Sequence, residues 1–128
     1  MDKKEISFFV QGQDAETGAN EVRRIINDEF EYEPQIIADK ENDPAGDTKA
    51  VDPIALGALI LAVPAAILAV ADLAGRIKNK KKLDRVLEKI QKRVVQKKEV
   101  NIKIIYPNGM IKNISSVDSV EILDTFSR

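Results

Sequence analysis

The sequence predicts a small α+β domain that contains one long apolar helix and one basic amphipathic helix. Three observations lead to this prediction. Residues 1–38 show a strand, helix, strand pattern, residues 54–71 contain no polar or charged side chain, and an Asn-Gly pair separates two β-prone runs near the C-terminus. The chain has 128 residues, which is the size of one ordinary domain.

The composition excludes several kinds of active site. The chain has no Cys and no His, so it offers neither a thiolate nor an imidazole as nucleophile, base or metal ligand. It has no Trp, four Phe and two Tyr, which is few for a surface that stacks nucleic-acid bases. No spacing of carboxylates, Ser or Lys suggests catalysis. We therefore predict a protein that is not an enzyme and has no cofactor or metal.

The charged residues are separated along the chain, although the formal net charge is −1. Residues 1–53 are strongly acidic, residues 76–98 are strongly basic, and Asp72 is the one charge between 54 and 75. Charge blocks of this size are not typical of a uniformly solvated surface.

The first 38 residues predict a strand, a helix and a second strand. Residues 6–10 are apolar and β-prone, and residues 19–30 repeat apolar side chains at helical spacing. Pro34 ends the helix, and residues 35–38 return as a strand. Such a unit predicts parallel strands joined by a right-handed crossover. Residues 39–53, with acidic side chains, Pro and Gly, are predicted to be a linker.

The apolar segment 54–75 is predicted to be a membrane helix. At about 1.5 Å per residue it would extend for about 30 Å, the thickness of one hydrocarbon core. It has no polar face, so either lipid or protein must enclose it. The alternative is a buried central helix, which the Ala-rich composition and Pro64 leave open. The predicted membrane-facing residues are Ile54, Leu56, Leu59, Ile60, Leu61, Val63, Ile67, Leu68 and Val70.

Small residues recur at every fourth position of this segment, at Ala58, Ala62 and Ala66. In a membrane helix this spacing lets two helices approach closely, which would permit a homo-oligomer. In a protein core the same spacing only permits close packing.

A basic run follows the apolar segment and consists of Arg76, Lys78, Lys80, Lys81, Lys82 and Arg85. Beside a membrane helix, these residues predict contact with an anionic membrane surface. The alternatives are a solvated helix face and a nucleic-acid site. The sequence has no known nucleic-acid-binding motif, which argues against nucleic acid. Within the basic segment 76–98, residues 82–97 predict an amphipathic helix that could dock on the sheet, a membrane or a partner protein.

Residues 99–128 predict a β-hairpin and a last short helix. The hairpin turn is Pro107-Asn108-Gly109, between the runs 100–106 and 110–114. Ser116 or Ser119 is the expected helix cap. Three carboxylates at 118, 121 and 124 lie along one side of this helix, where we expect a solvated face rather than a metal site.

Three features of the chain are similar to those of a known family. They are the order of these elements, the Asp52-Pro53 pair before the apolar helix, and the Pro107-Asn108-Gly109 hairpin. The chain resembles the effector-associated constant component family of bacterial conflict systems, from which it departs in the length of its basic segment. The resemblance implies a non-enzymatic component that acts beside adaptor domains and caspase-like or trypsin-like proteases. It implies no catalytic residues.

Together these patterns predict a membrane-active accessory or effector of a bacterial defence or cell-death system. Its apolar helix would stay masked until an adaptor or a protease releases it. The expected location is the cytoplasm, in association with the inner membrane or inserted in it. The alternative is a soluble α+β adaptor that binds partner proteins and has the same helix in its core.

Overall fold

A five-stranded antiparallel sheet is the framework of the protein. The computed structural model describes residues 5–38, 58–68, 72–97 and 100–126. The strands are β1 (Glu5–Gln11), β2 (Ile36–Ala38), β3 (Leu59–Pro64), β4 (Asn101–Ile105) and β5 (Ile111–Asn113). The helices are α1 (Ala15–Phe30), α2 (Ala65–Leu68), α3 (Leu73–Ile90) and α4 (Ser119–Thr125). A π-helical turn, Gln91–Val95, extends α3, and a 3₁₀ turn, Ile114–Ser116, precedes α4.

The strand order β2-β3-β1-β4-β5 is that of a split β-α-β fold with one added strand. Strands β1 and β2 flank α1 in the chain and run in the same direction, but β3 lies between them and is antiparallel to both. In the same way, β1 lies between β3 and β4. The predicted strand, helix, strand unit is present and its two strands are parallel, but they are not neighbours because β3 lies between them.

The prediction of a continuous helix over 54–75 is wrong. Residues 59–64 form β3, residues 65–68 form one helical turn, and Leu73 begins a separate helix. An uninterrupted apolar run suits a central strand as well as a helix, because both are enclosed on all sides. Among the described residues, no helix combines the length and the apolarity needed to cross a bilayer.

The predicted membrane-facing residues lie in different elements. Ile54, Leu56 and Val70 fall outside the described residues. Leu61, Val63 and Leu68 belong to the hydrophobic core, whereas Leu59, Ile60 and Ile67 are half-buried.

The hydrophobic core lies between one face of the sheet and the helices. Alternate strand residues point into it, as a period of two requires. The inward strand residues are Ile6, Phe8, Val10, Leu61, Val63, Ile102 and Ile104. Helix α1 packs on β1 and β3, and α3 packs on α1 and α4. The buried side chains of α1, α3 and α4 belong to this same core, so the helices cover one face of the sheet.

Close packing and end caps fix the positions of the helices. Gly18 brings α1 near the C-terminal end of the α3 extension, because a β-carbon there would lie 3.1 Å from Cγ1 of Val100 and 3.3 Å from Cγ1 of Val94. Helix α3 begins at Asp72, whose carboxylate accepts a hydrogen bond from the Gly75 N–H at 2.9 Å.

The C-terminal predictions and the basic helix are confirmed, with two changes. The helix predicted over 82–97 exists, but it begins earlier, at Leu73. The hairpin is closed by a turn in which Gly109 has a φ of 91°, a value that favours glycine. The cap of α4 is Asp118 rather than Ser116 or Ser119, because its carboxylate accepts a hydrogen bond from the Val120 N–H.

Candidate functional site

Two adjacent rows of side chains lie in the middle of the face of the sheet that points away from the helices, and the register partners Glu5–Pro64 and Gln11–Asn101 flank them. Ile37, Ile60, Phe9, Lys103 and Asn113 are successive register partners across all five strands. Ala62, Ser7, Ile105 and Ile111 form a second row across four strands. These nine residues are called the open sheet face, because no described helix packs on it.

The open sheet face is mainly apolar. Ile37 and Ile111, at its two edges, are 52% and 57% exposed. Phe9, Ile60 and Ile105 lie between them and are half-buried. A contiguous exposed apolar surface commonly marks a protein interaction site.

The same face offers little to a nucleic acid. Four-stranded sheets of this topology that bind RNA stack two or three bases on aromatic side chains. Phe9 is the one aromatic residue among the nine of the open sheet face, and Lys103 is the one cation. The nine residues therefore lack the set of aromatic side chains that such RNA-binding sheets use.

The basic run of the sequence is divided by its contacts. Four of its six members interact within the protein: Arg76 pairs with Asp124, Lys80 with Asp84 and Arg85 with Glu29, and Lys82 lies 5.6 Å from the centre of the Phe30 ring. Lys78 and Lys81 are exposed, and neither has an ion-pair partner among the described residues.

Two large apolar side chains are exposed beside these two cations. Leu73 is 73% exposed and Ile77 is 49% exposed, one turn apart at the start of α3. Helical geometry places Leu73, Ile77 and Lys81 along one line, with Lys78 beside it. Leu73, Ile77, Lys78 and Lys81 are called the α3 patch. The sequence pattern does not reveal the apolar half of the α3 patch. Leu73 falls in the predicted membrane helix 54–75, and Ile77 falls in the basic segment 76–98.

The predicted line of small residues does not exist as a helical surface. Ala62 lies in β3, Ala66 lies in α2, and Ala58 precedes β3. Side chains four residues apart share one helical line only within a single helix. Ala62 instead belongs to the open sheet face.

One polar cluster links α3 to α4. The buried Ser119 hydroxyl donates a hydrogen bond to Asp84, whose second oxygen lies 3.0 Å from Lys80 Nζ. Burial raises the pKa of Asp84, but the hydrogen bonds from Ser119 and Lys80 outweigh this effect and leave the pKa below its usual value. An ionised, weakly basic carboxylate and a buried hydroxyl do not make a nucleophilic pair, so this cluster holds the two helices together.

A second polar cluster links β5 to α4. The Tyr106 hydroxyl donates to Glu121 at 3.1 Å, and Lys112 pairs with the other oxygen of Glu121. Burial, and then the hydrogen bond to Glu121, raise the pKa of Tyr106. Tyr106 therefore stays protonated as a hydrogen-bond donor, which is a structural role.

Two further features of the described residues provide no ligand site. Within the described ranges no three carboxylates are grouped as metal ligands; Asp118 caps α4, Glu121 contacts Lys112, and Asp124 contacts Arg76. A cavity of about 10 Å³ lies between the sheet and the helices, and its lining, which includes Phe8 and Leu83, is apolar. That volume is enough for one water molecule but provides no polar group to hold it.

Glu29 joins α1 to α3. Arg85 Nε and Lys89 Nζ donate hydrogen bonds to its two oxygens at 2.9 and 3.0 Å, and the Glu29 side chain is only 11% exposed. Burial raises the pKa of Glu29, but the hydrogen bonds from Lys89 and Arg85 outweigh this effect. The pKa of Glu29 therefore lies below its usual value.

Glu29→Gln is expected to lower the free energy of unfolding by about 1–2 kcal/mol at neutral pH, because the amide has no charge and a single oxygen and can no longer accept from both Arg85 and Lys89. The lowered pKa means that this stabilisation is complete above the unfolded-state pKa and is lost as the pH falls through the folded-state pKa. The difference between wild type and variant should therefore shrink in acid. Urea unfolding across that pH range measures it.

Glu88→Gln is the matched control. Glu88 pairs with Lys92 at 3.0 Å, but both side chains are exposed on the same helix. Exposed ion pairs contribute little to stability, so the free energy of unfolding is expected to change by less than about 0.5 kcal/mol. Equal losses in the two variants would contradict the role assigned to Glu29.

Comparison of the chain with protein-family models, with curated proteins and with solved structures found no match.

Proposed function

We propose that the protein is a non-enzymatic adaptor that binds a partner protein through the open sheet face. The observation that carries the proposal is the apolar surface that crosses all five strands from Ile37 to Ile111, with both end residues more than half exposed. An apolar centre that excludes charge is typical of protein interfaces. Lys103 is the one charged residue among the nine of the open sheet face, and the other eight suit a mainly apolar partner surface.

A membrane-active effector with a releasable helix has less support. Strand β3 is hydrogen-bonded to β1 on one side and to β2 on the other, and it contributes Leu61 and Val63 to the core. Release of the apolar segment would therefore require the sheet to come apart. An adaptor function requires no such rearrangement.

We propose that this adaptor acts in a bacterial defence or cell-death system. That setting is implied by the resemblance of the chain to the effector-associated constant component family. The partner would then be an adaptor or a protease of the same system. The open sheet face is the surface that such a partner would cover.

Photo-crosslinking in the cells that produce the protein tests the proposal. A benzoylphenylalanine in place of Phe9 is expected to crosslink one partner protein, whereas the same residue in place of Ile77 should not. The double substitution Ile37→Glu/Ile111→Glu is expected to lower co-purification of that partner by about tenfold or more, a change of about 1.4 kcal/mol in binding. Leu73→Glu, at a still more exposed apolar position on a helix, should leave recovery unchanged.

Two results would overturn the proposal. One is a partner that co-purifies equally well with the double variant, provided that circular dichroism shows the variant to be folded. The other is the absence of any crosslink that is specific to position 9.

A further inference from the structure

A second surface lies in the helical layer and does not depend on the proposed function. Leu73 and Ile77, in the α3 patch, are exposed, whereas the later apolar residues of α3 face the core. The same helix therefore has an inward apolar face near its C-terminal end and an outward one near its start. Only the inward face has a partner within the described structure.

The charges around the outward face are positive and in part unpaired. Lys78 and Lys81 are exposed and have no ion-pair partner among the described residues. Arg76 and Lys80 lie on the same turns, where each is paired with a carboxylate. Asp72, the acidic residue nearest to Leu73, caps the helix through its bond to the Gly75 N–H.

We infer that the α3 patch docks on an anionic membrane surface. Cations beside exposed apolar side chains on one helical line are the arrangement by which amphipathic helices bind the headgroup region. The lysines would contact lipid phosphates, and the two apolar side chains would enter the boundary of the acyl chains. Lys78 and Lys81, which have no ion-pair partner among the described residues, are complementary to an anionic surface, whereas a neutral surface offers them no opposite charge.

The apolar pair favours lipid over other polyanions. A nucleic acid or an acidic peptide would use the lysines, but its phosphates or carboxylates would leave Leu73 and Ile77 in water. A lipid surface uses both halves of the patch. With two apolar residues and two cations the binding is expected to be weak and reversible, since stable anchoring needs stronger signals.

The patch and the open sheet face lie on opposite layers of the fold. Helices cover the inner face of the sheet, and the open sheet face lies on the other side. A partner protein and a membrane could therefore be bound at the same time. An adaptor with both contacts would bring its partner to the membrane surface.

Flotation of the purified full chain with lipid vesicles tests the inference. Binding is expected to vesicles of phosphatidylcholine with 30% phosphatidylglycerol, about tenfold stronger than to pure phosphatidylcholine, and to weaken as salt is added. Leu73→Ser/Ile77→Ser and Lys78→Gln/Lys81→Gln should each reduce binding by about tenfold. These residues are exposed, so the variants should fold, as circular dichroism can confirm.

Met110→Ser/Val120→Ser is the matched control, because it removes two exposed apolar side chains that lie outside both the α3 patch and the open sheet face. Its binding to anionic vesicles should stay within about twofold of wild type. Equal binding to neutral vesicles, no binding, or a loss equal to that of the patch variants would overturn the inference. So would tight binding to a short RNA or to polyglutamate that needs the lysines but not Leu73 and Ile77.

Discussion

Leu61→Asp is expected to unfold the protein, whereas Ala62→Asp, at the adjacent position, is expected to leave it folded. Leu61 is fully buried on the inner side of β3, and Ala62 points to the open sheet face. A carboxylate at position 61 would be buried without a partner, at a cost of several kcal/mol. This is comparable with the whole stability of a domain, about 5–15 kcal/mol. At position 62 the expected loss is about 1 kcal/mol, from weaker strand propensity.

Circular dichroism and thermal unfolding of the two variants distinguish a strand from a helix at this segment. In a strand, neighbouring side chains point to opposite faces, so the two substitutions must differ greatly. In an apolar helix enclosed by lipid, both positions would be equally intolerant of charge. Similar losses at 61 and 62 would therefore contradict the strand.

Gly18→Leu is expected to destabilise the protein by about 3 kcal/mol or more. Even the first added carbon would lie 3.1 Å from Val100 and 3.3 Å from Val94, closer than ordinary van der Waals contact. A leucine adds three further carbons at a site without room, and overpacking of this kind costs about 1–3 kcal/mol and sometimes more. The substitution also improves helix propensity by close to 1 kcal/mol, so a net loss isolates the packing effect. Urea unfolding measures it.

Thr17→Leu is the control for this prediction, because Thr17 is the exposed neighbour on the same helix. Its effect should lie within about 0.5 kcal/mol of zero, as is usual for surface positions. A stable Gly18→Leu variant would show that α1 can move away from the α3 extension, in contradiction to the close packing described.

The helices and the hairpin could be predicted because their signals are local. In α3, Leu83, Val86, Leu87 and Ile90 recur at helical spacing, and all four are buried in the structure. In the hairpin, Asn108-Gly109 supplies the conformation that the turn requires. Each pattern lies within one element, and no distant residue changes its meaning.

Strand β3 could not be predicted from its own pattern. A central strand with its inner side in the core and its outer side apolar shows no alternation, so its sequence resembles an apolar helix. Two local signals do mark the interruption. Pro64 is the last residue of the strand, and Asp72, three residues before Gly75, caps a new helix. Together they divide the apolar segment into parts too short to span a membrane.

The two surfaces depend on information that no single segment holds. The open sheet face is assembled by the register of five strands, and Phe9 meets Ile60 and Lys103 only after folding. The α3 patch can be recognised only when the paired cations are known. The carboxylates that pair with Arg76 and Arg85 are distant in sequence. The basic run is visible in the sequence, but which of its cations pair with the described carboxylates is not.

The register between β2 and β3 defines where this sequence is free to change. Ala38 is opposite Leu59, so the backbone leaves the sheet and re-enters it at neighbouring positions. The entropy of closing a flexible connection changes by only about 0.6 kcal/mol per doubling of its length. The pairing of Ala38 with Leu59 therefore sets no particular length for the chain between the two strands. The β-α-β-β-α-β framework is specified by strand register rather than by the spacing of its strands along the sequence.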